Sequence, residues 1–278
     1  MGGFLALAMK LDANPWTLVF CALTAITLQI LSNLANDYGD FKKGLDNSDR
    51  IGPQRTLQSG ALTERQLCVG IVLTAFAALV FGALLIFVFA RLTWKELAVF
   101  GALGVAAVLA ALLYTLGARP YGYRGLGDVF CFLFFGWVAV AGTFYLAAKQ
   151  LDFTILLPAT AMGCLSVAVL NINNMRDYQN DKANGKKTLV VKIGLKKAFV
   201  YHVCLIVMPF LCLSAFLLLK HAPWYAYAFW LLFPLFLIDL IAIRKLFESG
   251  RLDHLLPKQV VQTFLLTLVF GLTLLVQG

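Results

Sequence analysis

Eight stretches of this chain, roughly 15–36, 66–90, 97–116, 128–148, 153–174, 198–219, 223–243 and 259–277, are long and almost continuously apolar. A helix needs about 20 mainly apolar residues to cross a bilayer. All eight meet that length, so the sequence predicts an all-α, polytopic membrane helix bundle with the lipid bilayer as its solvent. A shorter apolar piece, Gly2 to Lys10, precedes them and reads as the tail of a ninth span. Residues 1–278 are expected to form a single transmembrane domain.

The composition agrees. The chain is 61% hydrophobic and only 13% charged, with a mean hydropathy of +0.83, which excludes an ordinary soluble domain. The formal charge of +9 does not point to nucleic acid, because the basic residues are scattered between apolar runs. They divide by loop instead. Eighteen of the 23 Lys and Arg fall in alternate loops, at 37–65, 117–127, 175–197 and 244–258, and five on the other side. By the positive-inside rule the first set faces the cytoplasm. No basic segment precedes the apolar start at Met1–Met9, so a cleavable leader is not expected. The six cysteines form no CxxC pair, and His202, His221 and His254 have no ligand spacing, so neither disulfides nor a zinc or haem site is expected.

Two of the basic loops carry related acidic motifs. NLANDYGDFKKGLDNSD, residues 33–49, follows the first long span, and NINNMRDYQNDKANGKKTL, residues 171–189, follows the fifth. Aligning Asp37 with Asp177 places asparagines before each, a second aspartate at Asp40 or Asp181, a glycine at Gly44 or Gly185, and a basic-Thr-Leu triplet at 55–57 or 187–189. This is the pattern of a duplicated bundle presenting two acidic arms to one cavity. On a helix, Asn33, Asp37 and Asp40 share one face, as do Asn173, Asp177 and Asp181.

Carboxylates at a membrane boundary are costly unless they are paired or hold a cation. An oxygen-only donor set suits magnesium, which takes one or two carboxylates and completes its shell with water and phosphate oxygens. Lys42, Lys43, Arg55, Arg176, Lys182, Lys186 and Lys187 supply the counter-charge for a diphosphate, and Gly185 lets the backbone turn the last two inward. The loop YTLGARPYGYRGLGD, with Arg119, Tyr121 and Tyr123, suits closure over an aromatic or carboxylate-bearing molecule.

At these residues the chain resembles the UbiA superfamily of intramembrane prenyltransferases over nearly its whole length. Asn36, Asp37 and Asp40 fill the first positions of that superfamily's NDxxDxxxD motif; Gly44 replaces its last aspartate and Asp46 follows. Asp177, Asp181, Gly185, Lys187 and Thr188 match the second motif. The forms NLANDYGD, ARPYGYRGLGD with FFGW at 134–137, and NINNMRD are similar to one branch, the 1,4-dihydroxy-2-naphthoate polyprenyltransferases of menaquinone synthesis.

The resemblance implies magnesium held by Asp37, Asp40, Asp177 and Asp181. Substrate contacts would come from Asn33, Asn36, Lys43, Asp46, Arg55, Arg119, Tyr121, Tyr123, Asn173, Asn174, Lys186 and Lys187. The substrates would be a polyprenyl diphosphate and 1,4-dihydroxy-2-naphthoate, joined with loss of carbon dioxide and diphosphate to give demethylmenaquinol in a bacterial inner membrane. Family members have nine spans, the first preceded by a basic segment; here that segment and much of the first helix are not seen. Two other readings compete: a different aromatic acceptor such as 4-hydroxybenzoate, and an ion-coupled transporter, which would place its acids near the midplane rather than at helix ends.

Overall fold

A computed structural model describes residues 1–9, 14–45 and 55–277. Among them there is helix and turn but no strand. The helices are α1 (Gly2–Ala8), α2 (Pro15–Lys42), α3 (Glu64–Phe89), α4 (Trp94–Leu113), α5 (Gly127–Ala148), α6 (Phe153–Arg176), α7 (Tyr178–Ala183), α8 (Leu189–Ile193), α9 (Leu195–Leu219), α10 (Trp224–Leu246) and α11 (Leu255–Gln277). Eight of them are long and apolar enough to cross a membrane, as the sequence predicts. The chain is a multi-pass membrane protein.

The described chain forms two compact units. The first comprises Asn14–Gly127 and Gln179–Thr188. Its helices begin on local caps: Asn14 accepts from the Trp16 N–H before Pro15, and Thr63 with Gln66 and Thr93 with Glu96 form capping boxes at the starts of α3 and α4. Leu31 of α2 packs with Leu67 and Ile71 of α3, while large apolar side chains such as Val72, Phe76 and Phe87 point outward, as they must where lipid is the solvent. At Gly39 of α2 a Cβ would meet Thr115 atoms at 2.6–2.9 Å. Only glycine permits this approach, and Thr115 fixes it by donating its hydroxyl to the Ala35 carbonyl at 2.8 Å.

The other unit comprises Met1–Ala13, Asp128–Tyr178 and Leu189–Gly278. Small residues bring its backbones together: a Cβ on Gly136 of α5 would meet Ala159 O and Gly163 Cα of α6 at 2.7 and 2.8 Å. Alpha-5 is π-helical from Phe132 to Ala141. Asn171 ties α6 to α9 by donating to the Ala198 carbonyl at 3.1 Å. Beneath it Ile172 and Met175 pack with Val190, Ala198, Ile243, Leu252 and Leu255.

Two details depart from the expected pattern. The apolar run ends near residue 36, yet α2 continues to Lys42, because helix propagation needs backbone bonds rather than apolar side chains. Conversely, α6 stops at Arg176; Asp177, with φ −87° and ψ 6°, interrupts the helix before α7 begins. Asn173, Asp177 and Asp181 therefore do not share one continuous helical face.

Candidate functional site

Both acidic motifs end in the same backbone structure. After Asp40, the Leu45 N–H returns to the Asp40 carbonyl at 3.0 Å and the Gly44 N–H to Phe41 O at 3.0 Å. After Asp181, the Lys186 N–H returns to the Asp181 carbonyl at 2.8 Å and the Gly185 N–H to Lys182 O at 3.4 Å. These are Schellman closures, each needing a left-handed residue, supplied by Gly44 at φ +71° and Gly185 at φ +72°. The structural repeat thus pairs Asp40 with Asp181 and Gly44 with Gly185. The two turns are also joined: Asn180 donates its side-chain amide to the Leu45 carbonyl at 2.8 Å.

A carboxylate in the last turn of a helix faces the negative end of the helix dipole, so both aspartates need positive charge nearby. They have it. The Asp40 side chain, 3% exposed, lies with Oδ2 3.0 Å from Arg55 Nη2 and 3.4 Å from Lys186 Nζ. The same Lys186 Nζ is 3.7 Å from Asp181 Oδ1. Arg55 also reaches Asp37 Oδ1 at 3.3 Å and donates to the Asn36 carbonyl at 3.0 Å, and Thr56 donates to Asp37 Oδ2 at 3.4 Å.

Tyr123, in the 3-10 turn Tyr121–Arg124, completes the cluster. Its hydroxyl donates to Asp40 Oδ1 at 2.5 Å. Two ammonium groups lie against its ring, Lys43 Nζ at 4.0 Å and Lys186 Nζ at 5.1 Å from the centroid. Lys43 further donates to the Thr115 carbonyl at 3.0 Å. Burial first, then the Asp40 charge, raises the Tyr123 phenol far above its ordinary value, so it stays a hydrogen-bond donor. Burial, with the nearby Lys186 ammonium, holds Lys43 below the usual lysine range, against the pull of Asp40.

In the other unit, Asp177 is held by its neighbour. Arg176 donates through Nε and Nη2 to the two Asp177 oxygens, each at 2.8 Å, through Nη2 to Asn173 Oδ1 at 2.8 Å, and through Nη1 to Asp253 Oδ1 at 3.3 Å.

A sequence model of the UbiA prenyltransferase family matches residues 1–256. The chain belongs to the UbiA prenyltransferase family. Among curated relatives, it is 41% identical over 95% of its length to a Haemophilus influenzae protein named 1,4-dihydroxy-2-naphthoate octaprenyltransferase, covering 85% of that protein. An Escherichia coli protein of the same name is also 41% identical, over 93% of this chain and 84% of its own length. Among solved structures, a UbiA homologue from Archaeoglobus fulgidus, described as bound to DMAPP and Mg2+, shares the fold at a TM-score of 0.60. The overlap covers 98% of this chain and 93% of the homologue, at 16% identity.

Of the residues singled out in the sequence of this UbiA family member, Asp37, Asp40, Lys43, Arg55, Tyr123, Asp181 and Lys186 fall into one cluster. Asn36 borders it through its backbone carbonyl. Asn173 and Asp177 meet at Arg176, and Asn174 is buried on the same helix. Lys187 behaves unlike its neighbour: its backbone N–H donates to the Tyr123 carbonyl at 3.1 Å and its side chain is exposed, whereas Lys186 is buried. Tyr121 turns away, donating to the Ala110 carbonyl at 2.7 Å. Asn33 and Arg119 are exposed, Asn33 accepting from Gln29 at 3.4 Å. Asp46 lies outside the described residues. Sequence reasoning did not single out Thr56, Thr115, Asn180 or Asp253. Thr56 had a signal, its place in the repeated basic-Thr-Leu triplet.

Among the described residues, no three His, Cys, Asp or Glu side chains converge into a ready ligand cage. Asp40 and Asp181 are instead spaced by the ammonium between them. That suits magnesium, which prefers one or two carboxylates together with a ligand's phosphate oxygens. Asp40 Oδ2 already gathers two cationic groups, which marks it as a position where positive charge is stabilised.

Proposed function

We propose that this chain transfers a polyprenyl group from polyprenyl diphosphate to 1,4-dihydroxy-2-naphthoate, releasing diphosphate and carbon dioxide and giving demethylmenaquinol. The observation that carries the reading is the 41% identity, over 95% of the chain, to a relative named for that acceptor. The family match across residues 1–256 takes in parts of both compact units, which supports treating the chain as one prenyltransferase domain.

The residues suit the chemistry. Lys43, Lys186 and Arg55 present cationic donors for the oxygens of a diphosphate, and the Tyr123 ring holds the two lysines in place. Asp37, Asp40 and Asp181 in one unit and Asp177 in the other would be the oxygen donors for magnesium. When bound, magnesium supplies charge neutralisation for the departing diphosphate. As the allylic C–O bond breaks, charge moves onto the leaving oxygens, where preorganised cations stabilise it most. The electron-rich ring then forms the new C–C bond at the carbon bearing the carboxyl group, which leaves as carbon dioxide. Apolar helices limit water, which would otherwise capture the allylic cation. The distribution of basic residues supports a bacterial inner-membrane location with this chemistry on the cytoplasmic side.

The test uses full-length protein in lipid nanodiscs with magnesium, octaprenyl diphosphate and carboxyl-labelled 1,4-dihydroxy-2-naphthoate. Mass spectrometry should find the prenylated product with release of labelled carbon dioxide, and Asp40→Ala, Asp177→Ala and Asp181→Ala should each abolish it while remaining folded. Prenylation of 4-hydroxybenzoate in place of the naphthoate would overturn the acceptor. Ion flux in liposomes that survives Asp177→Ala, with no prenylated product, would overturn the enzyme.

A further inference from the structure

Asp253 lies in the turn that leads into α11, 77 residues from Arg176 and outside both acidic motifs. Its neighbours fix it. Leu252 and Leu255 are buried in the cluster that includes Ile172 and Met175 of α6, so the turn is clamped against the end of that helix. Gly250, at φ +70°, and the Leu255 N–H bonded to Leu252 O at 3.0 Å shape the turn around it. Asp253 is thereby held against the guanidinium of the residue that follows Met175.

Arg176 spends its charge on two carboxylates. Nε and Nη2 form a two-point contact with Asp177, and Nη1, the nitrogen that Asp177 does not use, faces Asp253. The Arg176 and Asp177 side chains are 5% and 9% exposed, while Asp253 is 40% exposed. One cation shared between two anions leaves a net negative charge beside a buried carboxylate. Such an excess is costly in a poorly solvated place unless a further cation meets it.

We infer that Asp253 is a positioning residue for Asp177: by sharing Arg176 it keeps that guanidinium from neutralising Asp177 alone, and so leaves Asp177 able to bind a divalent cation. The inference rests on the proposal that Asp177 is a metal ligand. Without Asp253, Arg176 and Asp177 become a closed neutral pair, and an incoming cation must compete with a buried guanidinium that has no other carboxylate partner among its described contacts. With Asp253, Arg176 can give up Asp177 and remain paired.

The experiment titrates Mn2+ by electron paramagnetic resonance into full-length protein in nanodiscs with inorganic diphosphate present, and separately measures the Mg2+ midpoint for turnover. Asp253→Asn, which keeps size and removes charge, should raise both midpoints about tenfold, in line with the cost of losing a group that supports a metal ligand. The rate at saturating Mg2+ should stay within about twofold, since the ligands themselves are intact. Asp253→Glu should restore the midpoints, and Asp253→Ser should repeat the Asn result if folding of either variant is in question. Unchanged midpoints in Asp253→Asn and Asp253→Ser would overturn the inference, as would a lost saturating rate with unchanged midpoints. Asp177→Ala separates the two claims. If it weakens Mn2+ binding and Asp253→Asn does not, only the role of Asp253 fails; if Asp177→Ala binds Mn2+ normally, the ligand reading and the inference fail together.

Discussion

Tyr123 donates its hydroxyl to Asp40 Oδ1 at 2.5 Å while the ammonium groups of Lys43 and Lys186 both lie against its ring, 4.0 and 5.1 Å from the centroid. One side chain thus does two separable things. Tyr123→Phe removes the charge-assisted hydrogen bond and keeps the ring, so kcat/KM should fall about tenfold. Tyr123→Ala also removes the surface that gathers the lysines, and the fall should be nearer a hundredfold, mostly in KM for the diphosphate substrate. Steady-state kinetics of both variants check this; equal losses would mean that the ring contributes nothing.

Adjacent lysines should differ. Lys186 is buried between Asp40 and Asp181, whereas Lys187 exposes its side chain and contributes only its backbone N–H to Tyr123. Lys186→Met removes the ammonium that Asp40 and Asp181 share and should cost more than a hundredfold in kcat/KM, on the order of the 3–5 kcal/mol that follows loss of one buried ion-pair partner. Lys187→Met should stay within about threefold, as an exposed charge does. Gly185→Ala, which forces a left-handed alanine, should cost about 1 kcal/mol of stability and raise the diphosphate KM by shifting Lys186.

The lowered pKa of Lys43 sets a direction in pH. A lysine held below its ordinary value by burial and by Lys186 loses its proton earlier as pH rises. Affinity for a diphosphate should therefore weaken on the alkaline side before an ordinary lysine would titrate. Lys43→Arg keeps its charge throughout and should flatten that limb of the pH profile of KM. A profile identical in both proteins would remove Lys43 from the phosphate contacts.

A stability test lies away from the chemistry. Asp152 accepts from the Thr154 N–H at 2.9 Å at the start of a short 3-10 turn and pairs with Lys220 at 2.6 Å. Burial alone would raise its pKa, but the Lys220 and Thr154 hydrogen bonds outweigh it and hold the carboxyl below the usual value. A depressed carboxyl pKa stabilises the fold above the unfolded value, about 3.9, and that contribution is lost as pH falls through the folded one. Asp152→Ala should lower the midpoint of thermal unfolding at pH 7 by an amount corresponding to about 1 kcal/mol, with turnover retained. The difference from the parent should shrink in acid.

How much was legible follows from the range of each signal. Span length is local, so all eight crossing helices could be read from runs of apolar residues. The acids and the glycines of the two motifs were also local, and the glycines fall at positive φ. The interruption at Asp177 was not legible, because the residues around it include no Gly or Pro. It coincides with a guanidinium turned onto Asp177 and onto Asp253, and no local pattern announces a partner 77 residues away. Tyr121 and Tyr123 likewise look alike in sequence, yet a single 3-10 turn sends one hydroxyl to Ala110 and the other to Asp40.

The Schellman closures after Asp40 and Asp181 are made wholly of backbone groups and one left-handed glycine each. The three residues inside each closure, Phe41, Lys42 and Lys43 in one and Lys182, Ala183 and Asn184 in the other, therefore contribute no side chain to the closing bonds. The closing bonds that anchor each acid are thus independent of the side chains they enclose, which are left to make contacts of their own. The two counterparts Lys43 and Asn184 use that latitude differently: Lys43 places its ammonium over the Tyr123 ring, whereas Asn184 donates its side-chain amide to the Asn180 carbonyl at 2.8 Å.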